Sequence, residues 1–415
     1  MRAEIITVGD ELLIGQVVDT NSAWLGKMLN KHGIRIHRIN SISDNADEIK
    51  SQLRECLNRS ELIIMTGGLG PTKDDITKNT LVQFFGMSWR TDQDVLKQLE
   101  KFFASRGRVM LDANRMQADL PDGCKTLHND WGTAPGMWFD VEGKTVISMP
   151  GVPYEMQNIF EFRALPLIAE KYEQPHLYHK TLVTINVPES IIAQKISHIE
   201  DTLPAHIKLA YLPSWNTVRL RLTGSEQPGQ PIEAEINAIA DKVVAILGNA
   251  VAATEDHDMA EIVFHLLSEK GKTLSIAESC TGGFISHQMT RLPGASRVFV
   301  GSVVSYSNSV KHHQLGVESV LFETVGAVSE QVVTQMVQGV RERLATDYAI
   351  AVSGIAGPGG GSEDKPVGTV VIGVSSKAET IVRRYHFIGD RTNVIGRANN
   401  MAFDMLRKLI LNIEQ

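Results

Sequence analysis

The chain has 415 residues, 43% of them hydrophobic and 21% charged, with a formal net charge of −7 at pH 7. This length exceeds what one ordinary hydrophobic core supports, and the composition is that of a globular protein. The negative net charge argues against a general nucleic-acid-binding protein, but it does not exclude small phosphorylated ligands. No apolar run approaches the roughly 20 residues that span a bilayer.

The cysteines and the N-terminus together predict a cytoplasmic protein. Cys56, Cys124 and Cys280 are far apart and form no CxxC pair, so they cannot build a disulfide framework. The first apolar run is short and is interrupted by Asp10 and Glu11. It therefore indicates a buried strand rather than a secretory signal.

The first 170 residues alternate β-branched runs with helical patterns. The predicted strands are AEIITV, IRIHRI and ELIIMTGG, and the predicted helices between them are TNSAWLGKMLNKHG and NADEIKSQLRECLNRS. Such alternation predicts a parallel sheet with helices on both faces. Two further runs, GMWFDVEG and KTVISMPGVP, predict a hairpin that ends in a Pro/Gly turn.

Glycines and acidic residues follow the first and third strands of this region. Asp10 follows the first strand, and the third is followed by Gly67, Gly68, Gly70, Thr72, Asp74 and Asp75. Glycine amides suit a phosphate, and the three aspartates suit a hard divalent cation. The alternative is a tight turn whose aspartates cap the next helix.

From Lys171 to about Ala250 the pattern changes to two or three strands around one helix, then a turn at QPGQ and a second helix. This predicts a small α+β module, followed by the polar linker TEDHD. From Met259 a second strand–helix alternation begins and continues to the final helix. We predict three domains, over residues 1–170, 171–252 and 257–415. The fold class is α/β, with two separate α/β/α domains that have mostly parallel sheets and are joined by the α+β module.

The stretch SIAESCTGG places Ser279 between a strand and a helix. At the carboxyl edge of a parallel sheet, the amides of Thr281, Gly282 and Gly283 would open the helix toward a ligand. Ser279 is then either a nucleophile or simply the helix cap. Cys280 is a rival nucleophile, although no cysteine–histidine motif supports it.

Two later strand ends supply further candidate residues for the same site. Lys311 follows Tyr306 by five residues, and a buried lysine there could take a proton from a serine, whereas an exposed one is only a surface charge. The segment AVSGIAGPGGG supplies an amide-rich loop suited to an oxyanion, or only a turn. Together the three loops match metal-free acyl transfer such as amide hydrolysis.

The motifs AESCTGG, YSNSVKHHQLGV and SGIAGPGGG resemble the C-terminal domain of CinA proteins, which are nicotinamide mononucleotide deamidases. The resemblance implies that Ser279 and Lys311 carry the hydrolysis, with Tyr306 beside them. It also implies a set of substrate-binding residues: Thr281, Gly282, Gly283, Ser353, Gly354, Gly357, Gly360, Gly361, Arg391 and Arg397. No motif decides which arginine meets the substrate phosphate.

The motifs TGGLGPTKDD and PGVPYEM resemble the N-terminal domain of CinA proteins, whose fold is similar to molybdopterin-binding domains. The resemblance implies a metal-dependent ADP-ribose pyrophosphatase. It implies phosphate binding by Gly67, Gly68, Gly70 and Thr72, and metal binding by Asp10, Asp74, Asp75 and Glu155. The middle module resembles the family's KH-type domain but has no GxxG loop, so a spacer or dimer contact is expected rather than RNA binding.

Two function classes follow from these residues. The first is a nicotinamide mononucleotide deamidase of pyridine-nucleotide salvage, without a cofactor for deamidation and with a divalent cation at the N-terminal site. The alternative is a non-catalytic protein that binds a pterin nucleotide or a partner in competence and recombination. We expect small nucleotides as ligands and a homodimer, with neither membrane nor nucleic acid as a partner.

Overall fold

A computed structural model describes residues 1–72, 74–172, 177–226 and 231–414 of the chain. The residues form two compact units, Met1–Leu177 and Tyr178–Gln415, and the second contains both the α+β module and the C-terminal domain. The turn predicted at QPGQ, residues 227–230, lies outside the described residues. Within those residues, none of the helices combines the length and apolarity that a membrane crossing requires.

The first unit alternates strands and helices over most of its length. Its strands are β1 (Arg2–Val8), β2 (Arg35–Ile42), β3 (Leu62–Thr66), β4 (Trp89–Thr91), β5 (Asp119–Pro121), β6 (Lys125–Leu127), β7 (Gly136–Val141) and β8 (Lys144–Met149). Its helices are α1 (Asp10–Leu13), α2 (Thr20–Lys31), α3 (Ala46–Arg59), α4 (Thr77–Phe85), α5 (Gln93–Ala104), α6 (Asp112–Arg115), α7 (Pro153–Ile159) and α8 (Leu165–Lys171).

The main sheet of this unit has the order β2-β1-β3-β8-β7-β6. Its first four strands are parallel, whereas β7 and β6 are antiparallel to their neighbours. Successive residues of one strand point to opposite faces, so Ile5 packs with Leu25 of α2 and Ile6 packs with Leu53 of α3. This is the predicted α/β/α arrangement. Because β1, β3 and β8 are parallel, the loops that follow them meet at one sheet edge.

The second unit begins with the α+β module. Its strands are β9 (Leu177–Ile185), β10 (Ile207–Ser214), β11 (Thr217–Ser225) and β12 (Val251–Ala253), in the order β10-β11-β9-β12, and its helices are α9 (Glu189–Glu200) and α10 (Ile232–Leu247). The isoleucines and leucines of both helices pack against alternate residues of β11, such as Leu220 and Leu222. The module therefore has its own hydrophobic core.

The C-terminal domain has a mixed sheet of order β14-β13-β15-β16-β17. Its strands are β13 (Leu274–Glu278), β14 (Phe299–Val304), β15 (Tyr348–Gly354), β16 (Thr369–Ser375) and β17 (Thr380–His386). Its helices are α11 (Met259–Lys270), α12 (Phe284–Thr290), α13 (Asn308–Leu315), α14 (Ser319–Thr324), α15 (Glu330–Arg343) and α16 (Arg391–Leu411). Only β14, β13 and β15 are parallel, since β16 and β17 run antiparallel, so this sheet has fewer parallel strands than expected.

The hairpin of the α+β module contacts the C-terminal domain through Trp215. This residue occupies the β10–β11 turn with a positive φ of 30°, and its ring lies edge-on to Phe284 at 6.3 Å between centroids. A Cβ built on Gly396 of α16 would overlap the Trp215 indole. Nearby, Asn186 donates to the carboxylate of Asp404 at 3.2 Å. The close approach of the indole to α16 therefore requires glycine at position 396.

We predict that Gly396→Ala destabilises the protein, because the added methyl group displaces the Trp215 ring. Overpacking of this kind costs about 1–3 kcal/mol, more than the helix propensity gained by replacing glycine. Chemical denaturation of the full chain measures the change. In a Trp215→Ala background the cost of Gly396→Ala should disappear. Gly26→Ala is the matched control, since its methyl group would meet only Ile36 at an ordinary 3.5 Å.

Candidate functional site

Ser279 and Lys311 lie side by side in the C-terminal domain. Ser279 directly follows β13, and its backbone N–H donates to Val352 O of the neighbouring β15 at 3.0 Å, which fixes the corner. Lys311 comes from α13 and is 1% exposed. Its Nζ lies 3.0 Å from Ser279 Oγ. The structure therefore brings together the two residues on which the sequence prediction of acyl transfer depends.

The surroundings of Lys311 Nζ match a neutral amine. The nitrogen donates to Ser305 O at 2.7 Å and to Tyr306 O at 3.3 Å. A neutral amine has two N–H groups and one lone pair, so these carbonyls can take both donors and leave the lone pair for the Ser279 hydroxyl proton. Burial favours the same form, because it lowers the pKa of Lys311.

Cys280 is poorly suited to be the nucleophile. Its side chain is 5% exposed, and burial raises the pKa of the thiol to about 12. A thiol with such a pKa stays protonated, and the thiolate is the reactive form. Cys280 instead belongs to the hydrophobic core that contains Ile276 and Ile285. Cys280 is therefore a core-packing residue.

Glu278 is a site residue that the sequence analysis missed. Its fully buried carboxylate accepts from the backbone N–H groups of Gly283, Ile285 and Ser286 and from Ser286 Oγ, at 2.5–3.1 Å. It therefore caps the start of α12 from the last position of β13. The sequence feature that could have predicted this role is a glutamate directly before the serine, at the end of a buried strand.

The glycine amides after Ser279 are not free, contrary to the expectation for this corner. The Gly283 N–H is taken by Glu278, and the Gly282 N–H donates to Ser279 O at 3.1 Å. The helix begins only at Phe284. Thr281 differs, because its buried Oγ1 has no hydrogen-bond partner among the residues that the structure describes. Of the three predicted positions, only Thr281 offers an unused polar group.

Tyr306 contacts Lys311 through its backbone carbonyl and not through its phenol. Its side chain is 63% exposed, and its hydroxyl accepts from Arg391 Nη2 at 3.4 Å. Arg391, at the start of α16, also donates through Nη1 to Gly357 O at 2.9 Å. The arrangement does not support the expected proton relay by the phenol. Arg391 instead links the Tyr306 loop to the glycine-rich loop.

The glycine-rich loop follows β15 as predicted, but its residues differ in whether they are free to bind a substrate. Ser353 is buried and donates to Ala327 O at 2.8 Å, so its hydroxyl already has a partner. Gly357 and Gly360 have positive φ, and a Cβ on Gly354 or Gly361 would meet Thr369–Val370 or Val367 closely. Steric and backbone requirements explain these glycines without a ligand.

Arg397 lies one turn and a half beyond Arg391 on α16 and is half-buried. Its Nε has no hydrogen-bond partner among the described residues, and its neighbour in sequence, Gly396, contacts Trp215. Nothing places Arg397 beside Ser279. Arg391 is linked by its contacts to the site loops, so it is the better placed of the two predicted arginines.

The first unit has a cleft of about 420 Å³ at the carboxyl edge of its sheet. Most of the N-terminal residues predicted from the sequence line it: Gly67, Gly68, Gly70, Asp74, Asp75 and Glu155. Thr72 and Asp10 do not, although Glu11, next to Asp10, does. A cleft of this volume is large enough for a small organic ligand.

Steric contacts require glycine at two positions of this cleft. A Cβ on Gly67, at φ 110°, would overlap Val8 O of β1, and a Cβ on Gly68, at φ 64°, would overlap the Thr77 side chain. Only glycine permits this approach of the β3 loop to its neighbours. The Gly67 N–H is already taken, since it donates to Met149 O at 3.1 Å.

Asp75 holds the turn of this loop. Its carboxylate accepts from Thr72 N at 2.9 Å and from Thr72 Oγ1. Helix α4 begins at Thr77, with Ile76 at its N-cap and no side-chain cap. The tight turn of the alternative is confirmed, but its aspartates do not cap this helix, and Thr72 serves the turn rather than lining the cleft.

The predicted metal ligands do not form a cage by themselves. No group of three or more His, Cys, Asp or Glu residues suited to a metal occurs in the described part of the chain. Asp10 is exposed at the start of α1, and Glu155 accepts from Asn129 at 2.6 Å while burial raises its pKa. Mg²⁺ commonly binds through one or two carboxylates and substrate phosphates. Asp74 and Asp75 fit that mode, whereas a four-carboxylate site is not supported.

Comparison with known proteins identifies the family. A CinA-like protein of Cytophaga hutchinsonii is 41% identical over 412 residues, which cover 99% of each chain. A putative competence-damage inducible protein of Caldicellulosiruptor saccharolyticus is 39% identical over 99% of this chain and 100% of its own. The chain belongs to the CinA family.

The CinA relationship extends along the whole chain. Family profiles match a probable molybdopterin binding domain at residues 4–170, a damage-inducible protein CinA KH domain at 179–252 and a CinA C-terminal domain at 256–410. Among solved structures, the protein CinA with unknown function from Thermoplasma acidophilum is 38% identical. It covers 40% of this chain and 98% of its own, with a TM-score of 0.37.

For this CinA protein we predict that Glu278→Gln destabilises the Ser279 corner. The amide keeps one acceptor oxygen but turns an NH₂ group toward backbone N–H donors, and a lost buried hydrogen bond to a charged group costs about 1.5–3 kcal/mol. Thermal and chemical unfolding measure the change. Glu269→Gln, at an exposed position of α11, removes the same charge and should leave stability unchanged. Equal stability of the two variants would contradict the structural importance of the Glu278 cap.

Proposed function

We propose that this CinA-family protein is a cytoplasmic nicotinamide mononucleotide deamidase, with Ser279 as nucleophile and Lys311 as general base. One observation carries the proposal: a buried amine 3.0 Å from a serine hydroxyl at a strand end. The family resemblance supplies the substrate, and the local chemistry supports amide hydrolysis. A protein that only binds a ligand has no need of this pair.

In the first step Ser279 Oγ attacks the carboxamide carbon while its proton passes to the neutral Lys311 amine. The tetrahedral intermediate then expels the amide nitrogen, which takes that proton and leaves as ammonia. A serine ester of the nicotinoyl group remains. The backbone carbonyls of Ser305 and Tyr306 hold the amine in position throughout.

In the second step a water molecule attacks the ester carbonyl, and Lys311 takes its proton. The bond to Ser279 Oγ breaks, the hydroxyl is restored, and nicotinate mononucleotide leaves. The backbone N–H of Cys280, directly after the nucleophile, is a candidate donor to the developing oxyanion. We assign the unpartnered Thr281 Oγ1 and the Arg391 guanidinium to the substrate, with Arg391 meeting its phosphate.

We predict that Ser279→Ala lowers kcat for ammonia release by at least about 10³-fold, because no other group can form the ester. A coupled ammonia assay measures the loss, and an unchanged melting temperature shows that the fold is intact. Cys280→Ala is the matched control and should retain activity. Near-normal turnover by Ser279→Ala, with loss in Cys280→Ala, would transfer the nucleophile to the cysteine.

We predict that Lys311→Arg is as inactive as Lys311→Ala, since a guanidinium cannot lose its proton at accessible pH. In the unmodified enzyme, activity should rise with pH as Lys311 deprotonates. Because burial lowers its pKa, that rise should lie below the ordinary lysine value of 10.5. The pH profile of kcat/KM measures it. Lys270→Arg, at an exposed position, is the control. Substantial activity in Lys311→Arg would limit Lys311 to a positive charge.

A second activity is proposed for the first unit: metal-dependent hydrolysis of ADP-ribose. The cleft beside Gly68 and Gly70 favours it, since glycines let a pyrophosphate approach the backbone closely. Asp74 and Asp75 would hold a divalent cation together with phosphate oxygens. The cation would neutralise charge on the pyrophosphate. Hydrolysis would yield adenosine monophosphate and ribose 5-phosphate.

We predict that a chelator separates the two activities. EDTA should abolish ADP-ribose hydrolysis, because the cation neutralises the charge of the pyrophosphate beside Asp74 and Asp75, and should leave ammonia release unchanged. Both products are measured in the same sample before and after addition of Mg²⁺. Ammonia release that stops in EDTA and returns with metal would contradict the mechanism based on Ser279 and Lys311.

The non-catalytic alternative makes a different prediction for the same assays. A carrier of a pterin nucleotide, or a partner of recombination proteins, would release neither ammonia nor ribose 5-phosphate. The absence of both products from a folded protein would favour that alternative.

A further inference from the structure

The β10–β11 hairpin of the α+β module carries a tryptophan where glycine is usual. Ser214 pairs with Thr217, so Trp215 and Asn216 form a two-residue turn. Trp215 has a φ of 30°, and a positive φ at the first position of such a turn favours glycine. The tryptophan therefore holds a backbone conformation that L side chains rarely adopt. Contacts of its side chain must maintain this conformation, and a position of this kind points to a function.

The indole of Trp215 contacts two helices of the C-terminal domain. It lies directly on the backbone of α16, because a Cβ at Gly396 would overlap its ring. It also lies edge-on to Phe284 of α12. The two helices share one hydrophobic core, which contains Ile285 of α12 and Val394 of α16. A single side chain of the module therefore contacts both helices where they pack together.

Helix α12 begins beside the proposed nucleophile. Phe284 is its first residue, and the Phe284 N–H donates to Thr281 O at 3.0 Å. Ser279 itself is held within the C-terminal domain, since its N–H donates to Val352 O and its hydroxyl lies against Lys311 Nζ. None of these contacts of Ser279 involves Trp215. The serine and the lysine should therefore keep their geometry when the indole is removed.

Helix α16 begins at the arginine that we assign to the substrate phosphate. Arg391 is its first residue, and its guanidinium donates to Gly357 O and to the Tyr306 hydroxyl. Gly396 lies five residues further along, which corresponds to about 7.5 Å along the helix axis. The indole of Trp215 thus contacts α16 about one and a half turns from the arginine. A shift of the helix at Gly396 would move Arg391 with it.

A polar network holds the same turn to a second point on α16. Asn216 Nδ2 donates to Asn186 Oδ1 at 2.9 Å, and Asn186 Nδ2 donates to Asp404 Oδ2 at 3.2 Å. Asp404 is buried and accepts from Arg407 Nε at 2.9 Å. This point lies about 12 Å along the helix from Gly396. Because the network does not use the indole, the module should stay attached to α16 when only the tryptophan side chain is truncated.

We propose that Trp215 is a positioning residue for the deamidase site: by packing against the first turns of α12 and α16, it sets the position of Arg391 relative to Ser279. The proposal rests on the proposed function, in which the arginine meets the substrate phosphate. Removal of the indole lets the start of α16 shift, whereas the Ser279–Lys311 pair stays in place. The α+β module thereby contributes to substrate binding and not to attack on the amide.

Steady-state release of ammonia from nicotinamide mononucleotide by the full chain tests this role. Trp215→Ala should raise KM about tenfold, which is within the range of coupling between neighbouring residues, and should leave kcat nearly unchanged. Trp215→Phe keeps an aromatic ring at the turn and should retain most of the affinity. Leu212→Ala is the matched control, because it truncates an apolar side chain of the same hairpin with similar exposure, 39% against 41%. Its KM should equal that of the unmodified protein.

A double-mutant cycle with Arg391→Ala separates positioning from a general loss of structure. If Trp215 acts through the arginine, Trp215→Ala should raise KM no further once residue 391 is alanine. A merely structural effect would raise KM by the same factor in both backgrounds, and that result would overturn the proposal. A lower kcat with an unchanged KM in Trp215→Ala would also overturn it. Melting temperatures show that all four proteins are folded at the assay temperature.

Calorimetric titration of the same four proteins with nicotinate mononucleotide distinguishes the positioning role from the activity, because it needs no turnover. Losses of affinity that are coupled between Trp215 and Arg391, in a protein that releases no ammonia, would uphold the positioning role and refute the deamidase. Ammonia release with independent effects of the two substitutions would overturn the positioning role alone. If the unmodified protein does not bind the nucleotide, the assignment of Arg391 to the phosphate is wrong, and the proposal is overturned with it.

Discussion

Burial of the Lys311 amine is the constraint around which the C-terminal domain is arranged. Burying an ammonium group without a carboxylate partner costs free energy, so burial favours the neutral amine. Two backbone carbonyls of the Tyr306 loop accept from the amine and orient its remaining position toward Ser279. The loop after β14 must therefore keep its backbone fixed. This explains why Tyr306 contributes a carbonyl to the site and turns its phenol outward to Arg391.

The two α/β sheets use the same edge for different chemistry. Parallel strands bring the loops after β1, β3 and β8 together in the first unit, and those after β13, β14 and β15 together in the C-terminal domain. In the C-terminal domain a buried carboxylate, Glu278, caps α12, and the proposed base is an amine. In the first unit Asp74 and Asp75 lie at the cleft, which suits a ligand that brings its own charge and cation.

The strand–helix alternation, both α/β domains and the Ser279–Lys311 pair were predictable, because local patterns and strand ends determine them. The hydrogen-bond partners of these residues could not be predicted from the sequence. Whether Gly283 offers its N–H depends on Glu278, which could equally have been a surface residue. The Thr72–Asp75 turn could not be separated from a metal ligand, since the same residue types serve both.

Unpaired buried polar atoms connect these observations. Asn21 lines the cleft, Thr77 Oγ1 lies against Gly68 of its wall, and Thr281 follows the proposed nucleophile by two residues. Each lowers the stability of the unliganded fold, because a buried polar group without a partner loses its hydration. At the proposed sites a bound ligand would supply the hydrogen bonds that these atoms lack. That gain would add to the binding free energy and would favour ligands whose polar atoms match these positions.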